Sequence, residues 1–221
     1  MTYGVIFDMD GVLVDSEVHW KQVESEFLGG LIPGWSPEDQ RSILGMSAYD
    51  VHALLVDRYG ATLTRDEYVS YYSKMSRTIY GERSRLLDGA VESLASFRRE
   101  GIPLALASSS PHDWINIVLE RFELREYFNQ IVSSDDVEGK GKPAPDIYLL
   151  TATKLGLAAA NCVAVEDSTK GVASAKAAEM RCIGYRNGFN EHQLLDAADC
   201  IVSDLSRIAP LMIAGLFPVR T

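Results

Sequence analysis

The sequence predicts an α/β protein, with a doubly wound parallel Rossmann-like sheet that an all-helical insert interrupts after its first strand. From residue 85 onward, short apolar runs alternate with helical patterns, which is typical of parallel strands joined by right-handed crossovers. Residues 15–84 contain helical patterns and nothing that resembles a strand, and about seventy residues are too many for a loop. We therefore expect a core domain of residues 1–14 and 85–221 and a helical domain of residues 15–84.

The first predicted strand ends at two acidic residues. An apolar run over residues 3–7 is followed by Asp8, Met9 and Asp10. Side chains two apart on a strand point the same way, and like charges at that range repel unless a cation or a reaction needs both. A strand that simply ends in a polar turn explains these residues equally well, because Asp is common in turns. The pair alone leaves both interpretations open.

Start and stop signals divide the insert into four helices. Capping residues, acidic first turns and a Pro at a first helical position mark the starts, and glycines mark the stops. In order, the predicted helices run from about residue 17 to Gly29-Gly30, onward from Ser36-Pro37, from Ser47 to Tyr59-Gly60, and onward from Thr64 in a capping box with Glu67. The tyrosines of residues 68–80 are expected to form the core of this insert.

Five further apolar runs predict the remaining strands, with a helix between most of them. The runs cover residues 102–107, 131–133, 162–165, 181–184 and 200–202. Five helices are expected. The first ends at Gly101, the second starts at Pro111, the third ends at Gly156, the fourth follows Ser168 and the fifth starts at Asp204.

Polar residues follow several of these strands and are expected to meet in one crevice, because the carboxyl ends of parallel strands share one edge of the sheet. They are Asp8, Asp10, Ser108, Lys142, Glu166 and Asp167. Three or four carboxylates form a hard oxygen site that suits Mg²⁺, while a hydroxyl before a helix and an ammonium suit a phosphate. The combination predicts phosphoryl transfer. Taken singly, Ser108 could be a helix cap, Lys142 a solvated loop charge and Asp167 a helix-start acid.

Composition and charge favour an ordinary globular domain and argue against a protein that binds nucleic acid or membranes. The chain is 47% hydrophobic and 24% charged, as in ordinary soluble domains. Its net charge of −10 argues against nonspecific binding to nucleic acid or to an anionic membrane. Three widely spaced cysteines, Cys162, Cys182 and Cys200, suggest buried thiols in a reducing compartment. With no long apolar stretch and a first strand that begins by Tyr3, a cytoplasmic protein is expected.

Four short motifs resemble the haloacid dehalogenase-like phosphohydrolases, in particular the group that contains β-phosphoglucomutase and small sugar-phosphate phosphatases. The motifs are FDMDGVLVDSE at 7–17, ALASSS at 105–110, KPAPDIY at 142–148 and VAVEDSTKG at 163–171. The resemblance covers essentially the whole chain, and four motifs in order are far more specific than one. It implies a Mg²⁺-dependent phosphatase of a small phosphorylated metabolite. It also implies that the insert is a cap, which closes over the site and selects the leaving group.

The resemblance implies a role for each motif residue. Asp8 would be the nucleophile that becomes an aspartyl phosphate, and Asp10 would protonate the leaving oxygen and later activate water. Ser108 and Lys142 would hold the phosphoryl oxygens. The implied ligands of Mg²⁺ are oxygens at the strand ends, from Asp8, Asp10 through its backbone carbonyl, Asp167, and Glu166 directly or through water.

Five residues are candidates for substrate contact. Ser16 and His19 lie where the chain enters the insert, Ser109 and Ser110 follow the motif serine, and Lys74 lies in the insert. A polar residue at the start of a helix explains His19 equally well.

A phosphosugar mutase is the alternative function. β-Phosphoglucomutase grips a second phosphate with an Arg on the cap and a Lys after the motif serine, and here Ala48 and Pro111 stand at those positions. Hydrolysis of a monophosphate is therefore expected, with mutase activity second, since Lys74 or Arg77 could replace a missing cation.

Other functions fit the sequence less well. A dehalogenase would have no use for Asp10, and a phosphonate hydrolase would need a Schiff-base lysine near residues 15–20, whereas Lys21 lies in another helical phase. A receiver-like signalling domain would carry no long insert, and a non-catalytic phosphate-binding protein would have lost Asp8, Asp10 or Lys142. The expected state is a monomer or weak dimer.

Overall fold

The computed structural model describes residues 3–43, 48–137 and 141–217, without the side chains of residues 48–50. The chain divides into two compact units. The first, here called the sheet unit, consists of Met1–Asp15 and Arg85–Thr221. The second, the helical unit, consists of Ser16–Ser84.

Six parallel strands form one sheet within the described residues, in the order β3-β2-β1-β4-β5-β6. The strands are β1 (Gly4–Phe7), β2 (Leu104–Ser108), β3 (Gln130–Ser133), β4 (Cys162–Glu166), β5 (Arg181–Tyr185) and β6 (Cys200–Val202). The predicted α/β fold with a doubly wound parallel sheet is confirmed, and each strand lies on its predicted apolar run. The strand order reverses between β1 and β4.

Four of the described helices lie in the helical unit, as predicted, and the others lie in the sheet unit. They are α1 (Ser16–Leu31), α2 (Pro37–Ser42), α3 (Ala48–Tyr59), α4 (Arg65–Thr78), α5 (Ala90–Arg99), α6 (His112–Arg121), α7 (Asp146–Leu155), α8 (Thr169–Ala177) and α9 (Pro210–Leu216). Every residue of β1, β2 and β4 is buried, as in parallel sheets covered by helices on both faces. None of the described helices combines the length and the apolar character that crossing a bilayer requires.

The capping signals of the helical unit are confirmed. Ser36 caps α2 in a reciprocal pair with Asp39, and Thr64 caps α4 in the same way with Glu67. The predicted cap of α3, Ser47, lies outside the described residues.

The predicted end of α1 at Gly29-Gly30 is wrong, because the helix continues to Leu31. Both glycines are exposed, and the ladder continues past them, with the Ile32 amide donating to the Leu28 carbonyl at 2.8 Å. Glycine keeps its backbone N–H and costs only about 1 kcal/mol relative to alanine in a helix. Buried Leu28 and Ile32 offset that cost, since each buried aliphatic side chain contributes about 1.5–3 kcal/mol.

Tyrosines form much of the core of the helical unit, as predicted. Tyr68, Tyr72 and Tyr80 are buried, whereas Tyr71 is exposed. The half-buried Glu24 carboxylate accepts hydrogen bonds from the Tyr72 hydroxyl and the Gln40 amide. A wide helical turn over Ile79–Arg83, which no sequence signal indicated, follows α4.

The predicted helix start at Asp204 is also wrong. The Asp204 carboxylate accepts from the Ser206 amide at 2.9 Å and caps a single tight turn over Leu205–Arg207. The last helix starts later, at Pro210, whose fixed φ suits the first helical position. All three cysteines are free thiols; Cys162 and Cys182 are buried as expected, and Cys200 is half-buried.

Shortening Leu106 should test the importance of the sheet core. This β2 side chain is fully buried, so Leu106→Ala should lower the free energy of unfolding by about 2–5 kcal/mol in urea denaturation followed by circular dichroism. Leu211, 89% exposed on α9, provides the matched control, and Leu211→Ala should change that free energy by less than about 0.5 kcal/mol. Equal effects of the two changes would contradict this account of the core.

Candidate active site

The candidate site lies at the carboxyl ends of β1 and β4, where the strand order reverses. Asp8 directly follows β1, and Glu166 and Asp167 lie at the end of β4. Open α/β sheets bind ligands at this position, because the connections on either side leave in opposite directions and open a crevice.

Lys142 joins three strand ends with its single ammonium group. Its Nζ donates to Asp8 Oδ1 at 2.6 Å, to Glu166 Oε1 at 2.6 Å and to the Ala107 carbonyl at 3.0 Å. These bonds use all three donors of the ammonium, and the Lys142 side chain is only 7% exposed. Lys142 is therefore a buried, fully bonded cation, and the interpretation of it as a solvated loop charge is wrong.

The Glu166 carboxylate is held from both sides. Besides Lys142, Glu166 Oε1 accepts from the Tyr148 hydroxyl at 2.6 Å, and Oε2 accepts from Ser168 Oγ at 3.2 Å. A Cβ atom at Gly171 would lie 1.8 Å from the same carboxylate, so this first turn of α8 requires glycine. Tyr148 and Gly171 belong to two of the sequence motifs, but their residue types gave no separate signal of this contact.

Asp167 lies against the turn that follows β1. Its Oδ2 accepts from Asn187 Nδ2 at 3.0 Å, and a Cβ at Gly11 would come within 2.1 Å of that oxygen. Gly11 has φ of +75°, a conformation that also favours glycine. No sequence motif indicates Asn187, because it follows β5, a strand that carries none of the four motifs.

The three serines after β2 have different surroundings. Ser108 is buried and its Oγ accepts from the Ser110 amide at 3.0 Å, whereas Ser109 is exposed. Ser110 Oγ donates to Asp10 Oδ2 at 2.9 Å. None of them caps α6, because Pro111 occupies the cap position without a side-chain bond. The helix-cap interpretation of Ser108 is therefore wrong.

The site holds more negative than positive charge. Carboxylate oxygens of Asp8, Glu166 and Asp167 lie within 4.8 Å of one another, and one ammonium faces them. Burial raises the pKa of Asp8 to about 8, and Glu166 and Asp10 act in the same direction against Lys142. Burial lowers the pKa of Lys142, but Asp8 and Glu166 more than offset it and raise it above its usual range. The hard oxygen donors and the uncompensated charge fit a divalent cation.

Three predicted substrate contacts lie in the helical unit. Ser16 is the buried first residue of α1, His19 is half-buried on the same helix, and Lys74 is exposed on α4. The Lys74 ammonium lies 5.4 Å from the ring centroid of Tyr71. Their contact with substrate stays a prediction.

Comparisons with known proteins identify the family to which this chain belongs. A family model described as haloacid dehalogenase-like hydrolase matches residues 5–185. Among curated proteins, hexitol phosphatase B of Escherichia coli K12 is 34% identical over 184 residues, covering 80% of this chain and 81% of the relative.

Solved structures with the same fold include two informative examples. CbbY from Rhodobacter sphaeroides, solved in complex with phosphate, has a TM-score of 0.83 and 25% identity, and the match covers 96% of this chain and 99% of that one. A putative β-phosphoglucomutase from Thermotoga maritima has a TM-score of 0.75 and 28% identity, with coverage of 96% and 98%.

Removing the buried ammonium should destabilise the protein strongly. Lys142→Met leaves two buried carboxylates without their cation, so we expect a loss of about 3–5 kcal/mol in unfolding free energy, measured in urea with EDTA present. Lys154 is the control, because its contact with Asp136 is 3.8 Å long and its side chain is 36% exposed. Lys154→Met should cost less than about 1 kcal/mol. A similar small loss for both variants would contradict the structural importance of the Lys142 contacts.

Proposed function

The chain belongs to the haloacid dehalogenase-like hydrolases, and from this we propose that it is a Mg²⁺-dependent phosphatase that hydrolyses a small phosphomonoester, such as a sugar or polyol phosphate, through an aspartyl phosphate. The observation that carries the proposal is the buried Lys142 ammonium, which contacts Asp8 beside the carboxylates of Glu166 and Asp167. The name of the 34% identical relative, hexitol phosphatase B, supports the substrate class.

Asp8 and Asp10 carry the two steps of the proposed reaction. A carboxylate oxygen of Asp8 attacks phosphorus, the bond from phosphorus to the leaving oxygen breaks, and Asp10 gives that oxygen a proton. Water then attacks phosphorus, Asp10 takes a proton from the water, and the acyl phosphate bond breaks to release inorganic phosphate and the Asp8 carboxylate. The Ser110 hydroxyl, which donates to Asp10 Oδ2, orients the acid for both transfers.

Lys142 prepares the nucleophile electrostatically. A carboxylate approaching a phosphate experiences repulsion between two anions, and the ammonium 2.6 Å from Asp8 Oδ1 reduces it. The contact with the Ala107 carbonyl fixes the ammonium at the end of β2, next to Ser108. We propose that Ser108 holds an oxygen of the transferred phosphoryl group and that Lys142, whose three donors are already bonded, acts on that group through its positive charge.

The proposed Mg²⁺ ligands are Asp8, the backbone carbonyl of Asp10 and Asp167. The cation would neutralise charge on the phosphoryl oxygens and balance the carboxylates. Glu166 is fully buried and already accepts from Lys142, Tyr148 and Ser168. We therefore propose that Glu166 acts mainly by holding Lys142, with any contribution to the cation made through water.

A phosphosugar mutase is the second candidate, favoured by the structural similarity to the putative β-phosphoglucomutase. Two positions argue against it. Pro111 at the cap of α6 has no charge with which to hold a second phosphate, and Ala48, the first residue of α3, has none either. A cytoplasmic location and a monomeric or weakly dimeric state also stay predictions.

A substrate panel should separate the two functions. With Mg²⁺ present, the full chain should release inorganic phosphate from one or more hexose, polyol or nucleoside monophosphates, and EDTA should abolish the release. Mutase activity would be followed by NMR on a sugar 1-phosphate supplied with a trace of bisphosphate. Isomerisation without phosphate release would overturn the phosphatase proposal in favour of the mutase.

Substitution of either aspartate should lower turnover strongly. Asp8→Asn removes the nucleophile and should lower kcat by at least about 10³-fold, whereas Asp10→Asn removes the acid and base and should lower kcat by about 10²–10⁴-fold. Asp113, exposed in the first turn of α6, provides the control, and Asp113→Asn should leave kcat within about twofold, since surface changes are mild. Unchanged turnover in the Asp8 variant would refute the proposed intermediate.

A further inference from the structure

The loop after β5 holds Asp167 at two points with two asparagine side chains. Asn187 Nδ2 donates to Asp167 Oδ2 at 3.0 Å and to the Gly11 carbonyl at 2.9 Å. Asn190, which is fully buried, donates through Nδ2 to the Asp167 backbone carbonyl at 2.7 Å and to the Tyr185 carbonyl at 2.9 Å. The carboxylate and the backbone of Asp167 are thus tied to a segment outside the four motifs.

The orientation of the Asn187 amide is fixed by its neighbours. Its Oδ1 accepts from the Phe189 amide at 2.9 Å, and its backbone N–H donates to Asn190 Oδ1 at 3.2 Å. A reversed amide would place Oδ1 against two acceptors, the Gly11 carbonyl and Asp167 Oδ2, and would leave Phe189 without its acceptor. The two donors of Asn187 therefore point at Asp167 and Gly11.

An amide is chemically suited to hold a carboxylate that must bind a cation. It donates a hydrogen bond and fixes the plane of the carboxylate but adds no charge. A lysine or arginine at this position would neutralise Asp167 and compete with the cation, as Lys142 neutralises part of the charge on Asp8 and Glu166. Asn187 leaves the full negative charge of Asp167 available.

The contact with Gly11 extends this control to the turn after β1. Gly11 follows Asp10, and the Asp167 carboxylate occupies the space that a Cβ of Gly11 would need. Because one amide bonds both Gly11 and Asp167, it fixes the distance between the turn after β1 and the end of β4.

We propose that Asn187 is a positioning residue for the divalent cation, which holds the Asp167 carboxylate and the Gly11 turn in the arrangement that binds it. The inference rests on the proposed function in taking Asp167 as a cation ligand. Residues that orient metal ligands typically change metal affinity about 10–100-fold when they are removed.

The test is the affinity of the full chain for Mg²⁺ alone, measured from the increase in thermal unfolding midpoint with Mg²⁺ concentration. Asn187→Ala should weaken the apparent affinity at least about tenfold, while kcat at saturating Mg²⁺ falls by a smaller factor. Asn129 provides the matched control, because its Oδ1 accepts from the Leu104 amide at 2.9 Å at the start of β2, at the other end of the strands. Asn129→Ala should lower the midpoint without Mg²⁺ and leave Mg²⁺ affinity unchanged.

Two outcomes would overturn the inference, and they are distinguishable. If the unaltered protein shows no Mg²⁺-dependent shift, the proposed cation site and the role of Asn187 both fail. If the unaltered protein responds and Asn187→Ala binds Mg²⁺ within about twofold of it, only the role of Asn187 fails. If the alanine variant does not fold, the Mg²⁺ affinity of Asn187→Gln is measured instead, and a value within about twofold of the unaltered protein would again contradict the role of Asn187. The longer side chain of glutamine keeps the amide but cannot reach both acceptors in the same geometry.

Discussion

The rest of the site depends on one buried interaction, the contact of the Lys142 ammonium with Asp8 and Glu166. Charged groups so far from solvent are tolerated only when they are paired and hydrogen-bonded. The Lys142 side chain is 7% exposed and the Glu166 side chain is fully buried, so each charge depends mainly on its protein partners. The ammonium also bonds the Ala107 carbonyl, so the ends of three neighbouring strands keep their positions together.

Parallel strand register explains why this cation is needed. Phe7 on β1 pairs with Val165 on β4, and the Asp8 amide donates to the Val165 carbonyl at 3.0 Å. The next residues along both strands, Asp8 and Glu166, are therefore neighbours at the usual strand spacing of about 4.8 Å. Two carboxylates at that range repel in a buried site, and Lys142 is inserted between them. The strand register therefore brings the Asp8 and Glu166 carboxylates together, and Lys142, in the loop before α7, offsets their repulsion.

The sequence predicted the elements that use strong local signals and missed the contacts that support them. Apolar runs predicted all six described strands, and the capping boxes at Ser36 and Thr64 predicted two helix starts, because both signals act within a few residues. The end of α1 was predicted wrongly at Gly29-Gly30, because an exposed glycine weakens a helix without ending it. Tyr148 and Asn187 could not be assigned, because their roles arise only when α7 and the loop after β5 pack beside the strand ends.

The balance of charge at the site also decides what can bind there. The whole chain carries a net charge of −10, so any affinity for a phosphate must come from charge concentrated locally. Lys142 does not supply that charge alone, because two carboxylates already accept hydrogen bonds from it. A phosphate entering without a divalent cation would meet the carboxylates of Asp8, Glu166 and Asp167 with one ammonium to offset them. The pKa of Asp8 is raised for the same reason, because the carboxyl is buried among like charges. A cation bound at these carboxylates would reduce the repulsion of the phosphate and would also lower the pKa of Asp8.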